Sequence, residues 1–236
     1  VGGADHAIIV YPDADFGASA APLRLDGHAD ITASTFFGAS CASIGDLDGD
    51  GVVDVAVSAE RDATHGFNHG AIYIVLLEDF SVSDTVKGVF KIAVGLRGLQ
   101  DKVTVDGTSL GLGLAFLGQA NGITHIVASE YMANTGGDSS EGAFYHLFLD
   151  KNAVVVAESY VAEADLGGYD LATGQSFAFG LACGDVNGDG VQDVVAGSMV
   201  GDDLFIIPGV GSSCGDGVVD VMTEECDDGN GTDGDG

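Results

Sequence analysis

Short apolar runs alternate with polar, glycine-rich turns along this chain. The first two runs are residues 7–11 and 22–25, followed by a polar stretch at 26–35. A set of four then appears at 37–44, 55–59, 70–77 and 86–94. The pattern starts again at 110–118, which aligns without gaps on 37–45, and continues through 126–129, 142–149 and 153–161. A third set runs through 177–183, 194–197 and 204–208, and no fourth run is read between Pro208 and Cys214. The runs are rich in Val, Ile, Ala and Phe and bounded by glycine, which predicts strands. A unit of four short strands recurring about every 70 residues is the pattern of propeller blades. Each blade is a small sheet that holds a core only by packing on its neighbours. The expected fold is therefore all-β, built of blades at about 34–97, 109–162 and 176–209, with a partial blade at 1–25.

Two stretches between the first and second strands carry chemistry. Gly45-Asp46-Leu47-Asp48-Gly49-Asp50-Gly51-Val52-Val53-Asp54 has a near-copy in Gly184-Asp185-Val186-Asn187-Gly188-Asp189-Gly190-Val191-Gln192-Asp193. Both read D-x-[DN]-x-D-G-x-x-D. Side-chain oxygens fall at loop positions one, three, five and nine, with the carbonyl of Val52 or Val191 at position seven. A hard cation such as Ca²⁺ takes roughly six to eight oxygens, and a tight loop turns alternate carboxylates inward. The predicted ligands are Asp46, Asp48, Asp50, Val52 and Asp54 at one site, and Asp185, Asn187, Asp189, Val191 and Asp193 at the other. An EF-hand is excluded, because position twelve is Val57 or Ala196 rather than Glu, and a strand follows instead of a helix. In the middle unit Gln119, Asn121 and His125 stand where the acids belong, and the turn is two residues shorter, so no metal is expected there.

Composition narrows the partners. The 236 residues include 37 acidic and 7 basic side chains, for a formal charge of -30. Nucleic acid and anionic membrane surfaces are disfavoured, since both need a basic footprint. No apolar run approaches a membrane span. The chain begins with Val1 rather than Met, consistent with a leader removed or left out.

The combination of Phe37-Gly38, the loop from Gly45 to Gly51, and Gly70-Ala71-Ile72-Tyr73 resembles the FG-GAP repeat of integrin alpha-chain propellers and their bacterial and algal relatives. The resemblance covers residues 5–209. It implies a seven-bladed propeller whose loop calciums are structural and whose ligand face is the rim opposite them. In the third unit Phe177-Ala178 replaces Phe-Gly. Three units and part of a fourth do not close a ring, so the chain reads as a piece of a longer propeller, with exposed sheet faces that favour the missing blades or self-association.

The end of the chain is different. Cys214-Gly215-Asp216-Gly217-Val218-Val219-Asp220, followed by Glu225-Cys226-Asp227-Asp228-Gly229-Asn230, resembles the start of a myxobacterial-type cysteine-rich repeat, placing a truncated copy at 210–236. That family is extracellular and disulfide-rich. Cys214 and Cys226 are candidates to bond to each other, with connectivity left open. Cys41 and Cys183 read as small buried core residues.

Catalytic signals are thin. His65 and His69 share a polar link with Glu60, Arg61 and Asp62, for which a solvated loop is the preferred reading over an acid–base or metal site. No nucleophile elbow is present. Tyr131, Tyr145 and Tyr169 fit either blade edges or platforms for a sugar. The chain is thus expected to be a non-enzymatic, extracellular, calcium-stabilised propeller segment of an adhesion or recognition protein, binding a protein or glycan on the rim away from the calcium loops. The alternatives are a lectin-like module and an accessory domain of a secreted enzyme.

Overall fold

The computed structural model describes residues 36–63, 67–79, 86–100, 107–134 and 140–209, together with the backbone of two short antiparallel strands, β1 (Ile8–Ile9) and β2 (Leu23–Arg24). The wider bounds read at 7–11 and 22–25, the polar stretch at 26–35, His65, and the tail with Cys214 and Cys226 lie outside the described residues.

The structure is all-β, with a single 3₁₀ turn at Glu163–Asp165 among the described residues. Three antiparallel sheets follow one another along the chain. The first is β3 (Phe37–Ser43), β4 (Val55–Ala59), β5 (Ala71–Leu77) and β6 (Val86–Ile92). The second is β7 (Leu110–Ala120), β8 (Ile123–Glu130), β9 (Ala143–Leu149) and β10 (Val155–Val161). The third is β11 (Gly180–Gly184), β12 (Asp193–Gly197) and β13 (Leu204–Ile207). Every strand pairs with its sequence neighbour, so each sheet is a meander. Successive sheets touch through their first strands, β3 on β7 and β7 on β11.

Strand ends depart from the apolar runs for local reasons. β8 begins at Ile123 rather than 126, because Asn121 and Gly122 (φ 49° and 77°) close a two-residue hairpin that lets the ladder run further. β11 begins at Gly180 rather than 177, because Phe177 is engaged in a bridge to the preceding sheet.

That bridge defines how one sheet meets the next. Gly70 pairs in parallel with Leu110, and Gly142 with Phe177. The amides of Ser109 and Leu110 donate to the carbonyls of Asn68 and His69 (3.0 and 2.9 Å), and those of Ser176 and Phe177 to Ser140 and Glu141 (2.9 and 2.7 Å). A Cβ on Gly70 would collide with the Leu110 backbone, its nitrogen only 2.6 Å away, and one on Gly142 would strike the backbone of Ser176 and Phe177. Both glycines also sit at positive φ, 81° and 92°. The glycine that opens Gly70-Ala71-Ile72-Tyr73 and Gly142-Ala143-Phe144-Tyr145 therefore marks a backbone-to-backbone contact that tolerates no side chain.

The leading turn of each sheet repeats as well. Phe36 and Gly38, Ser109 and Gly111, and Ser176 and Ala178 all take left-handed φ. Ala178 holds φ 61° without the freedom of glycine, so the substitution in the third unit leaves the turn intact at some conformational cost. Just beyond, the β3–β4 and β7–β8 ladders skip register. The Ser58 and Ser129 hydroxyls accept the amides left over, those of Ser40 (2.9 Å) and Gly113 (2.6 Å).

Between the first two sheets Ile72, Ile74, Leu76 and Ile92 share a core with Ile126, Tyr145, Leu147 and Leu149. Between the second and third, Val127 and Phe144 pack with Phe177, Val194 and Ala196. The other face of the first sheet, with Val57, Tyr73 and Val75, is also buried. The third sheet differs. Leu204 and Ile206, equivalent to the buried Ile72 and Ile74, are 68% and 54% exposed.

Gly142→Ala is expected to destabilise the chain by about 2–4 kcal/mol, combining left-handed strain with a backbone clash. Gly174→Ala, at φ 78° but with no atom within 4 Å of the new methyl, should cost only about 1 kcal/mol. Urea unfolding of both variants measures the difference, and equal costs would remove the close approach as the reason for Gly142.

Candidate metal centre

Both acidic loops join a first strand to a second, at the same end of their sheets. Their glycines at position six, Gly51 and Gly190, have φ 90° and 91° and turn the chain back toward the sheet. The two loops share six bonds from backbone amides to side-chain oxygens, and the first adds a seventh, from the Asp50 amide to Asp46 Oδ1 at 3.0 Å. Asp46 accepts from the amides of Gly49 and Gly51, both at 2.8 Å, as Asp185 does from Gly188 and Gly190 (2.6 and 3.0 Å). The amide of Asp50 donates to Asp48 Oδ1 (3.3 Å) and that of Asp189 to Asn187 Oδ1 (2.8 Å). The amides of Val52 and Val191 donate to the Oδ1 of Asp50 and Asp189, each at 2.8 Å.

The last two bonds involve position nine. Asp54, fully buried, accepts from Leu47 and from Leu77 at the end of β5, each at 2.9 Å. Asp193, also fully buried, accepts from Val186 and Gly209 at the same distances. Each carboxylate thus ties the loop to the end of the third strand.

Asp46, Asp48 and Asp50 bring one carboxylate oxygen each within 4.8 Å of one another, a group that can hold a metal ion. Asp54 stands outside that group, beneath it, with both oxygens occupied by amides. Asp185, Asn187 and Asp189 repeat the upper arrangement by equivalent bonds, and Asp193 repeats the lower one. Amide bonds leave the carboxylates further lone pairs, so the donor set is all oxygen and suits a hard cation. The carbonyls of Val52 and Val191 belong to the same turns. The middle unit has the Asn121-Gly122 hairpin in place of a loop, and Gln119 reaches across to the first loop, its amide nitrogen 2.7 Å from the Asp46 carbonyl.

A cation of the protein's own meets the first cluster. Lys87, at the start of β6, lies 2.5 Å from Asp48 and 2.9 Å from Asp50. That contact, ahead of the Val52 amide, holds the Asp50 carboxyl below the usual carboxylate range, and the two carboxylates push the Lys87 ammonium up. Asp54 moves the other way. Burial raises it, the amides of Leu77 and Leu47 oppose the shift, and the charges of Asp48 and Asp50 add to it. Asp193 is lowered by its Gly209 and Val186 amides, without acidic neighbours in the balance.

The opposite end of the sheets collects the remaining candidates. Glu60 is buried, with Arg61 3.6 Å away, and the Arg61 guanidinium lies 4.3 Å over the Phe36 ring. Asp62 is buried against Lys91 (2.7 Å) and the Tyr73 hydroxyl (3.0 Å), so it braces the sheet rather than lying in a solvated loop. His69 is also buried. Tyr145 is wholly buried in the core and is no sugar platform. Tyr169 is exposed and donates to Asp203 (2.9 Å). Tyr131 is half-buried and meets the partly exposed Phe179 ring edge-on at 5.3 Å. The buried-core reading of the cysteines is corrected. Cys41 is exposed on the edge strand β3, Cys183 is half-buried, and both thiols are free.

No protein-family model matches the chain, and no curated protein sequence matches it. Among the described residues, no helix is long and apolar enough to cross a membrane.

The clamp at position nine and the cluster above it are separable. In excess chelator, Asp54→Asn should cost about 1–3 kcal/mol, because one buried amide then faces an NH₂ group instead of an acceptor. Asp48→Ala should cost markedly less under the same conditions. Chemical denaturation of both variants checks the order, and a reversed order would contradict the division of roles.

Proposed function

We propose that this chain is a calcium-stabilised propeller segment of FG-GAP type from an extracellular recognition protein, without catalytic activity of its own. The observation that carries the proposal is the duplication of the acidic loop: two turns 139 positions apart share six bonds and each present an oxygen-only donor set, with Asn187 in the place of Asp48. The meander sheets joined through their first strands support the blade reading. Asp46, Asp48 and Asp50 hold one calcium, with Asp185, Asn187 and Asp189 holding the other, and the Val52 and Val191 carbonyls completing each turn.

The calcium role is structural. It binds folded loops, offsets the repulsion among their carboxylates and stabilises the fold by mass action. Recognition then falls to the other rim, where the longer links converge. On that rim the exposed Phe36 and Phe67, with the Tyr131–Phe179 pair bridging the second and third units, favour a glycan over a purely ionic protein contact as a second reading.

A thermal melt tests the structural role. Saturating Ca²⁺ should raise Tm by several degrees, on the order of 2–4 °C per kcal/mol for a domain of this size. Asp48→Ala plus Asp189→Ala should abolish the rise. An unchanged Tm in the parent chain sinks the calcium assignment. The glycan reading is checked separately on a glycan array, where Tyr131→Ala should lose any signal that the parent chain gives.

A further inference from the structure

The two loops differ in what meets the position-five aspartate. Oδ2 of the position-five aspartate receives a neutral amide in the second loop, Asn187 Nδ2 to Asp189 at 2.8 Å. In the first loop the same oxygen of Asp50 receives the Lys87 ammonium, which also holds Asp48. Asp48 is the residue that replaces Asn187, so the first loop carries one more carboxylate than the second, and Lys87 balances it. Lys87 comes from β6, a fourth strand, and the third sheet has no counterpart of β6 among the described residues. Among those residues no lysine or arginine contacts Asp185 or Asp189.

We propose that Lys87 is a built-in counter-cation of the first loop, which keeps that loop closed without metal and must leave before a divalent cation can bind, so that the two loops fill unequally. This rests on the reading of the loops as calcium sites. Lys87 occupies the Oδ2 atoms of Asp48 and Asp50, while their Oδ1 atoms accept backbone amides, and a divalent ion shared by the two carboxylates would be repelled by an ammonium so close. Lys87 sits on a surface strand with a partly exposed side chain, so it has solvent to move into. The second loop opposes calcium only with an amide of its own, which can rotate to offer its carbonyl oxygen.

The consequence has two signs. Removing the ammonium should destabilise the metal-free chain, since three clustered carboxylates lose their counter-ion. The same change should tighten calcium binding at the first loop. A lysine that merely braced the strand would give the first effect without the second.

The test is isothermal titration of the full chain with CaCl₂, in an Asp189→Ala background that leaves one loop active. Lys87→Met and Lys87→Gln should each bind calcium about two- to fivefold more tightly than the background chain, as expected for losing a competing exposed ion pair. Both should also melt at lower temperature in chelator, whereas Lys87→Arg should stay near the background affinity. Unchanged or weaker binding in Met and Gln variants overturns the role of Lys87 while leaving the calcium sites standing. Absence of calcium binding in every variant, and in the chain with both loops intact, overturns the calcium sites and this inference together.

Discussion

Each sheet is tied to the next where backbone lies directly against backbone, at Gly70 with Leu110 and at Gly142 with Phe177. Two amides of the incoming sheet donate to two carbonyls of the sheet before it, a bond pattern that needs the chains closer than any Cβ allows. Once the first strand is seated there, the rest follows from the meander. The second and third strands bring the Ile72–Ile74 or Val127–Phe144 face against the neighbouring sheet. The strand order then sends every first-to-second turn to one rim and the longer links to the other. Side chains fill the space between sheets, but the glycine contact sets the separation at which they must fit.

The turn between the first and second strands exists in three versions on one scaffold. Two are nine-residue acidic loops clamped from below by a buried aspartate, and one is a two-residue Asn-Gly hairpin. The clamp explains how a loop of like charges holds its shape: Asp54 and Asp193 bond one amide at the start of the turn and one at the end of the third strand, while Asp46 and Asp185 gather the amides of its middle. The carboxylates of the upper group are thereby preorganised, and their mutual repulsion is a cost that a cation relieves. In the first loop part of that relief already comes from Lys87.

Much of this was legible in the sequence, because it depends on residues close together in the chain. Alternating short apolar runs located the strands, and the spacing D-x-[DN]-x-D-G-x-x-D located the turns. The middle unit was read as two residues shorter, with Gln119, Asn121 and His125 in place of acids, and the hairpin at Asn121-Gly122 is where that shortening falls. What was not legible depends on contacts between distant segments. Lys87 lies 37 positions from Asp50, and its only mark in the sequence is that it is one of seven basic residues in an acidic chain. The reach of Gln119 to Asp46 is of the same kind. Asp54 and Asp193 were read as ligands from loop position, but their bonds to the amides of Leu77 and Gly209, at another strand end, could not be read there. Cys41 was read as core from its apolar neighbours, but β3 is an edge strand and leaves it open.

Anomalous diffraction from crystals grown in calcium decides most directly whether the two loops are cation sites. Two peaks are expected, at about 2.3–2.6 Å from carboxylate oxygens. One should lie among Asp46, Asp48 and Asp50 with Lys87 turned away, the other among Asp185, Asn187 and Asp189, with none at the Asn121-Gly122 hairpin. Loops that stay free of calcium at saturating concentration, with Lys87 still between Asp48 and Asp50, would contradict the assignment.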